Sequence, residues 1–547
     1  MRDDAAKPAT SAYGYPLILR DLLRDAVSRN PEQVIVSAGR EYSYRDLNER
    51  VHRLAASLAA LGVAPGDTVA VMDWDTHRYL ECFYAIPMMG AVLHMVNVRL
   101  SREQILYTIK HARDDVILVN ADFLPVLEEM AADLQGVRAV VVMDDGGVAQ
   151  SDTLPVAGEY EQRLREAEPE FDFPDLDENT RATTFYTTGT TGNPKGVFFS
   201  HRQLMLHTLA VRAALAGPGQ GRFNEDDVYM PITPMFHVHA WGVPYVATLL
   251  GVRQVYPGRY DPGALLGLIR EQGVSFSHCV PTILQMLLEH PDARDGRLDG
   301  WKVVIGGSAL PRPLCRRALD FGIDVYTGYG MSETCPILTL ALLESGMTDW
   351  DMDRQAAQRC KTGRPIPLVQ LRIVDPAMAD QPRDGSSQGE VVVRAPWLTQ
   401  GYLHDPEASE ELWRGGWLHT GDIGVIDPDG YLRITDRMKD VIKTGGEWVS
   451  SIELEGLLLQ HEGVAEVAVV ARPDERWGER PLALVVSRSG SSLEEDTLHR
   501  HMQKFVDEGR LAPYAVPERI TLVDEIPKTS VGKIDKKAIR KRMVESG

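Results

Sequence analysis

Between residues 17 and 63 apolar positions recur at intervals of three and four, and Leu47, Val51, Leu54, Leu58 and Leu61 fall on one face of a predicted helix. Ser43 with Asp46 three residues on gives the capping-box pattern: the two side chains can take up backbone N–H groups left free by the first turn. From Thr68 the texture changes. TVAVMD reads as a strand, HRYLECFYAIPMMG as a helix, AVLHMVN as a strand, SREQILYTIKHA as a helix opened by Ser101 and Gln104, and DVILVN as a strand. Apolar strands alternating with helices predict a parallel sheet covered on both faces.

Residues 144–181 are acidic and rich in Pro and Gly, a predicted surface excursion. A strand over Ala182 to Thr188 then breaks into a loop and resumes as Val197-Phe198-Phe199. Ser200 and Gln203 cap the helix HRQLMLHTLAVRAALA, whose Leu204, Thr208 and Val211 face suits either a core or a pocket wall. VSFSHCV with PTILQMLLEH, WKVVIGGSALPRPLCRRALDFG and IDVYTGYG continue the strand–loop–helix units, with loops at strand C-terminal ends where open α/β sheets bind ligands. From Gly389 the period becomes two, in GEVVVRAP and GYLRITD. Asp427 and Asp429 have a calcium-loop spacing, but Gly430 stands at the fourth place and not the sixth, so a hairpin turn is expected. Beyond Asp440 the segments VAEVAVVA, PLALVVS and LEEDTLHRHMQKFV and the basic end KIDKKAIRKR predict a small α+β domain.

A chain of 547 residues exceeds what one hydrophobic core organises, so at least two domains are expected. No apolar run reaches about 18 residues and the start, MRDDAAKPATSAYGYP, is charged, so neither a membrane segment nor a signal peptide is expected and a cytoplasmic location is. Cys82, Cys279, Cys315, Cys335 and Cys360 are scattered and form no CxxC, which points to reduced thiols. A net charge of -20 argues against nucleic acid as a partner and requires any nucleotide site to be locally basic.

Candidate chemistry concentrates in TTFYTTGTTGNPKGVFFSH, Thr183 to His201. Gly189, Gly192 and Gly196 allow backbone N–H groups to approach an anion, Thr187, Thr188, Thr190 and Thr191 offer hydroxyls, and Lys195 adds a charge: a composition suited to a polyphosphate, set against a plain flexible turn. It is not a Walker loop, because Lys195 precedes Gly196 and a strand follows where that motif needs a helix. GGSAL lacks the second Gly of a nucleophile elbow, and GYGMSE puts Glu333 where a dinucleotide fingerprint needs its third Gly. His237 and His239 form an HxH with no Cys, Asp or third His nearby in sequence, which does not make a metal site.

The loop resembles the signature of the adenylate-forming superfamily of acyl-CoA synthetases, peptide-synthetase adenylation domains and luciferases, and later segments follow in that superfamily's order, from about Tyr13 to Lys541. The resemblance implies that Thr187, Thr188, Gly189, Thr190, Thr191, Gly192 and Lys195 hold the phosphates of ATP. In TGYGMSET it assigns Thr327, Gly328, Tyr329 and Ser332 to ATP, with Tyr329 stacking on adenine and Ser332, where Thr is commoner, near the α-phosphate. Glu333, with Thr187, would hold Mg2+. Gly307, Ser308 and Ala309 of GGSA would pack between adenine and the acyl group, beside Gly306 and Gly330 of the acyl pocket. FHVHAWG resembles the pocket-wall motif, with His237 as the gate and Val238 and Trp241 as walls. Asp422 of WLHTGDIG would accept the ribose hydroxyls. DRMKDVIKTGGEWVSS resembles the hinge: Arg437 on ribose or phosphate, Lys439 as pivot, and Lys443, Gly445, Gly446, Glu447 and Trp448 toward coenzyme A. PKTSVGK would place Lys533 as the adenylation catalyst, with Glu333 and His237 also at the reacting centre. Ala395 departs from the RGP pattern.

The resemblance therefore implies an α/β fold: a large N-terminal domain of parallel sheets flanked by helices plus a β-rich subdomain, residues 1–436, a hinge at 437–440, and a small mobile α+β C-terminal domain, residues 441–547. It implies an ATP-, Mg2+- and CoA-dependent ligase for a small-molecule carboxylic acid. MMGAVLHMVNVRLSREQI, FHVHAWGVPY and GGEWVSS carry a likeness to medium- and long-chain fatty acyl-CoA synthetases and methylmercaptopropionate ligases. A carrier-protein acceptor, a luciferase-like oxygenase and a homodimeric state stay open at this level. An amino acid substrate fits less well, because VHAWGVPY offers no acidic partner for an ammonium group.

Overall fold

The structure is a computed structural model and describes residues 9–144, 150–187, 193–294, 298–444, 447–488, 490–491, 493–528 and 534–546, with the side chains of Glu447, Trp448 and residues 543–546 outside the description. Among the described residues the strands form four sheets in an α/β architecture.

The first large sheet runs, edge to edge, Val156–Glu159, Ala139–Met143, Val116–Asn120, Thr68–Met72, Val92–Met95, Arg181–Tyr186 and Gly196–Ser200. Its pairs are parallel except the last, Arg181–Tyr186 against Gly196–Ser200, which brackets the Thr/Gly loop. The second runs Arg364–Pro365, Ile337–Leu340, Asp324–Gly330, Lys302–Ile305, Phe276–Cys279, Val228–Pro231, Arg253–Tyr256, Val34–Ser37 and Arg40–Ser43, parallel in its middle and antiparallel at both edges. The helix His77–Met88 packs on strands of both sheets and all its residues are buried. That burial explains its continuous rather than striped apolar pattern. Its charges are paired: Arg78 Nε lies 2.9 Å from Glu161 Oε1, and Arg50 Nε lies 2.6 Å from Glu81 Oε1. A buried charge is tolerated only when paired and hydrogen-bonded.

All three capping boxes form, at Ser43/Asp46, Ser101/Gln104 and Ser200/Gln203. Two expectations need correction. The helical reading of residues 17–63 hides a hairpin, Val34–Ser37 with Arg40–Ser43, between the helices Arg20–Arg29 and Tyr44–Ala60. Its strands are short and held by parallel pairing of Val34–Ser37 with Arg253–Tyr256, a contact no local pattern reveals. The excursion 144–181 is not surface throughout: it carries the strand Val156–Glu159 and the helix Tyr160–Glu166, whose Glu161 neutralises the half-buried Arg50 and the buried Arg78. Leu204, Thr208 and Val211 are buried, with Leu204 and Val211 in the main core.

The third sheet is antiparallel, Gln370–Val374, Gly389–Arg394, Leu418–Ile426 and Leu432–Arg437, with Leu371, Ile373, Val391, Val393 and Leu418 joining the main core. Asp427–Gly430 is the expected turn: Gly430 adopts φ +83° and its N–H donates to Asp427 O at 2.9 Å. The fourth sheet, Glu447–Val449, Ile442–Thr444, Gly478–Ser487, Val464–Asp474 and Arg519–Leu522, has separate cores on its two faces. Val467 and Val469 pack on one side with Leu454 and Leu498, and Ala468 and Val470 on the other with Ile526 and Ile539, as a strand's period of two requires. Among the described residues no helix is long and apolar enough to cross a membrane.

Candidate active site

Asp422 and Arg437 are directly paired across the third sheet, and Arg437 Nε lies 3.5 Å from Asp422 Oδ1. The strand Asp324–Gly330 of the second sheet delivers Tyr329 to the same place, its hydroxyl donating to Asp422 Oδ2 at 2.7 Å. Burial, and then the neighbouring carboxylate, push the Tyr329 hydroxyl well above its usual range, so it stays a donor. Two sheets thus converge on one carboxylate with a ring and a guanidinium beside it.

Glycines next to Tyr329 in its strand and at the end of the neighbouring strand allow close packing of the surrounding backbone. A Cβ on Gly330 would fall 1.7 Å from Pro336 O, one on Gly328 2.8 Å from Val304 Cγ1, and one on Gly306 2.8 Å from Trp241 Cη2. Gly307, Ser308 and Ala309 follow the strand Lys302–Ile305 as an exposed loop at its C-terminal end, and Thr327 Oγ1 is buried with no hydrogen-bond partner among the described residues. Ser332 is half-buried on the 3-10 turn Ser332–Thr334.

Glu333 on that turn is buried, and its Oε1 accepts the Tyr402 hydroxyl at 2.7 Å. Burial raises its pKa, while the Tyr402 bond and the charges of Arg437 and Lys195 pull it back. The ends of the Thr/Gly loop are closed by Thr187 N–H donating to Lys195 O at 3.0 Å and Lys195 N–H donating to Thr187 Oγ1 at 3.3 Å. Lys195 Nζ sits 4.6 Å from the Tyr402 ring centroid. Lys195, Tyr402 and Glu333 therefore form a continuous line of contact. The chemistry of the Glu333 carboxylate suits Mg2+, a hard cation that takes most of its oxygens from water and phosphate. Among the described residues no group of three or more His, Cys, Asp or Glu could hold a metal.

His237 is half-buried, with its N–H donating to Pro234 O at 2.8 Å. The next five residues depart from every local expectation: Val238, His239, Ala240, Trp241 and Gly242 have φ of +50°, +56°, +47°, +59° and +71°. Each left-handed non-Gly residue costs about 1–2 kcal/mol. Packing holds the turn, since all four non-Gly residues are buried and His239 Nε2 lies 2.8 Å from Thr183 Oγ1 of the first sheet. Burial lowers the His239 pKa to about 3, so the ring is neutral. Of the HxH pair, His239 is turned to Thr183. Trp241 ends the turn against Gly306, tilted on His278 at 5.0 Å.

Lys439 lies just past Arg437, and burial followed by the Arg437 charge pulls its ammonium below the usual lysine range. Lys443 is exposed on the strand Ile442–Thr444, its N–H donating to Glu479 at 2.8 Å. Thr188, Gly189, Thr190, Thr191, Gly192, Gly445, Gly446 and Lys533 lie outside the described residues, as do the side chains of Glu447 and Trp448. Sequence reasoning missed Tyr402 and Asp75. Asp75 is buried after the strand Thr68–Met72, accepts Met235 N–H at 2.8 Å and the Tyr260 hydroxyl, and so ties the first sheet to the segment leading into His237. Neither residue belongs to a recognisable motif.

Comparison with known proteins agrees with this geometry. A long-chain-fatty-acid–CoA ligase of Thermus thermophilus is 42% identical over 503 residues, 91% of this chain and 90% of its own length. A 3-methylmercaptopropionyl-CoA ligase of Ruegeria lacuscaerulensis is 35% identical over 534 residues, 96% and 97% of the two lengths. The solved structure of ATP-bound MatB from Rhodopseudomonas palustris superposes with a TM-score of 0.82 at 26% identity, covering 96% of this chain and 99% of that one. Residues 23–403 match the AMP-binding enzyme family and residues 453–533 its C-terminal domain, and the chain belongs to that family.

Proposed function

We propose that this protein is an AMP-forming acyl-CoA synthetase that activates a medium- or long-chain fatty acid, or a similar apolar acid, as acyl-AMP and transfers it to coenzyme A. The convergence of Tyr329, Asp422 and Arg437 from two sheets carries the reading, because one buried carboxylate beside an aromatic face and a guanidinium suits the ribose, base and phosphate of a nucleotide. The buried, apolar wall around Val238 and Trp241 suits an acyl chain. The relatives' names, a fatty-acid and a methylmercaptopropionate CoA ligase, point the same way.

In the first step a carboxylate oxygen attacks the α-phosphorus of ATP, and the bond to pyrophosphate breaks. Positioning and charge neutralisation supply most of the catalysis. Thr187, Lys195 and the loop between them hold the β and γ phosphates, Glu333 and Thr187 bind Mg2+, which neutralises phosphate charge when bound, and Lys533 bridges the carboxylate and phosphate oxygens. His237 and Trp241 bound the acyl group. In the second step the CoA sulfur attacks the acyl carbon and AMP leaves. Residues 1–436 form the large domain and 441–547 the small one. Rotation about Lys439 withdraws Lys533 and brings Lys443, Gly445, Gly446, Glu447 and Trp448 to the pantetheine arm. The reading includes a cytoplasmic location. The test is pyrophosphate release over carboxylic acids of graded length, with and without CoA. Release with apolar acids, and AMP plus thioester only when CoA is present, supports the reading; light or oxygen uptake, or no release with any acid, contradicts it.

A further inference from the structure

Tyr402 touches two groups of the proposed phosphate site and has no place in the reaction described above. Its hydroxyl donates to Glu333 Oε1 at 2.7 Å, and its ring face receives Lys195 Nζ at 4.6 Å. The surrounding backbone fixes it in place. Tyr402 bridges to Val197 of the strand Gly196–Ser200, its N–H donates to Ser409 Oγ at 2.8 Å, and Leu403 N–H donates to Gly196 O at 2.8 Å. Glu333 is held from the other side, its carbonyl accepting Thr399 N–H at 3.0 Å. A Cβ on Gly196 would meet Leu403 Cβ at 3.0 Å and Tyr186 Cε1 at 3.2 Å, so the strand and the Tyr402 segment pack without slack.

We propose that Tyr402 is a positioning residue that couples the lysine end of the Thr/Gly loop to the metal-binding carboxylate, so that triphosphate and divalent cation are gripped as one unit. The hydroxyl fixes the direction of one oxygen of Glu333, and the ring holds the Lys195 ammonium by the attraction between a cation and a π face. A partner of this kind, one bond behind a metal-binding carboxylate, governs affinity for the metal rather than for the base or the acid. The proposal rests on Glu333 being the metal ligand.

The test uses the full-length enzyme with Mn2+ and the non-cleavable α,β-methylene analogue of ATP, reading free Mn2+ by electron paramagnetic resonance. AMP binding without metal is read by calorimetry. In Tyr402→Phe, which keeps the ring over Lys195, Mn2+ should bind the enzyme–analogue complex at least about tenfold more weakly, with AMP affinity unchanged. KM for the acid in pyrophosphate exchange should stay at the wild-type value, because the bond lost lies on the metal side of the site. Wild-type Mn2+ affinity in Tyr402→Phe, or an equal loss of AMP affinity, would overturn the proposal. Glu333→Gln run in parallel separates the two levels: if it too binds Mn2+ like wild type, the metal reading of Glu333 fails, and if it alone weakens binding, only the role of Tyr402 fails.

Discussion

The Tyr329 hydroxyl and the Asp422 carboxylate, 93 residues apart in sequence, stand 2.7 Å from each other and join the second large sheet to the antiparallel one. The carboxylate also faces Arg437, so the Tyr329 bond is one of several determinants of its orientation. Tyr329→Phe removes one and keeps the ring. Hydrogen bonds to charged groups contribute about 1.5–3 kcal/mol, so KM for ATP in pyrophosphate exchange should rise about tenfold or more, with KM for the acid unchanged. An unaltered KM for ATP would show that Asp422 does not depend on this bond for nucleotide binding.

Gly306 is fixed by close approach rather than by backbone conformation. A Cβ there would lie 2.8 Å from Trp241 Cη2 and 3.0 Å from Gly328 O. The indole can yield but the carbonyl belongs to the sheet, and overpacking of this kind costs about 1–3 kcal/mol. Gly306→Ala should lower the thermal midpoint and shift the acid-length profile of pyrophosphate release, because the displaced Trp241 redraws the pocket wall. A profile identical to wild type would remove Trp241 from that wall.

Asp75 supplies a pH dependence. Burial pushes its carboxyl up to about 7, against the bonds from Tyr260 and Met235 that favour the ionised form. With the folded pKa above the unfolded one, the native state holds the extra proton, so the contribution of Asp75 to stability is greatest at low pH and falls as pH rises between about 4 and 7. Asp75→Asn mimics the protonated state and still accepts the Met235 N–H. Its thermal midpoint relative to wild type should therefore rise from pH 5 to pH 8; a constant difference would place the Asp75 pKa near its ordinary value.

Much of this fold is legible in the pattern of the chain where local chemistry decides it. The three capping boxes start helices because Ser43, Ser101 and Ser200 meet their partners three residues away. The Asp427–Gly430 turn follows from Gly at a position with positive φ. The hairpin over Val34–Ser43 is not legible, because its pairing partner lies more than two hundred residues on. The left-handed turn from Val238 to Gly242 contradicts local preference and exists only because tertiary packing surrounds it. In the site, ordered motifs name Tyr329, Glu333, Asp422 and Arg437, and the structure brings Tyr329, Asp422 and Arg437 together. Tyr402 and Asp75 act through contacts distant in sequence, a hydrogen bond spanning 69 residues for Tyr402 and two spanning 160 and 185 for Asp75, and neither leaves a trace in spacing or composition.

In the proposed mechanism one chain runs two half reactions and Lys533 serves only the first. Lys533→Ala tests it by two assays on one preparation: ATP–pyrophosphate exchange with the acid, and thioester formation from supplied acyl-AMP and CoA. Loss of a charge that stabilises the transition state costs on the order of 100- to 1000-fold, so exchange should fall by that factor while thioester formation stays near wild type. An equal fall in both half reactions, or exchange at the wild-type rate, would contradict the division of labour between Lys533 and the rest of the site.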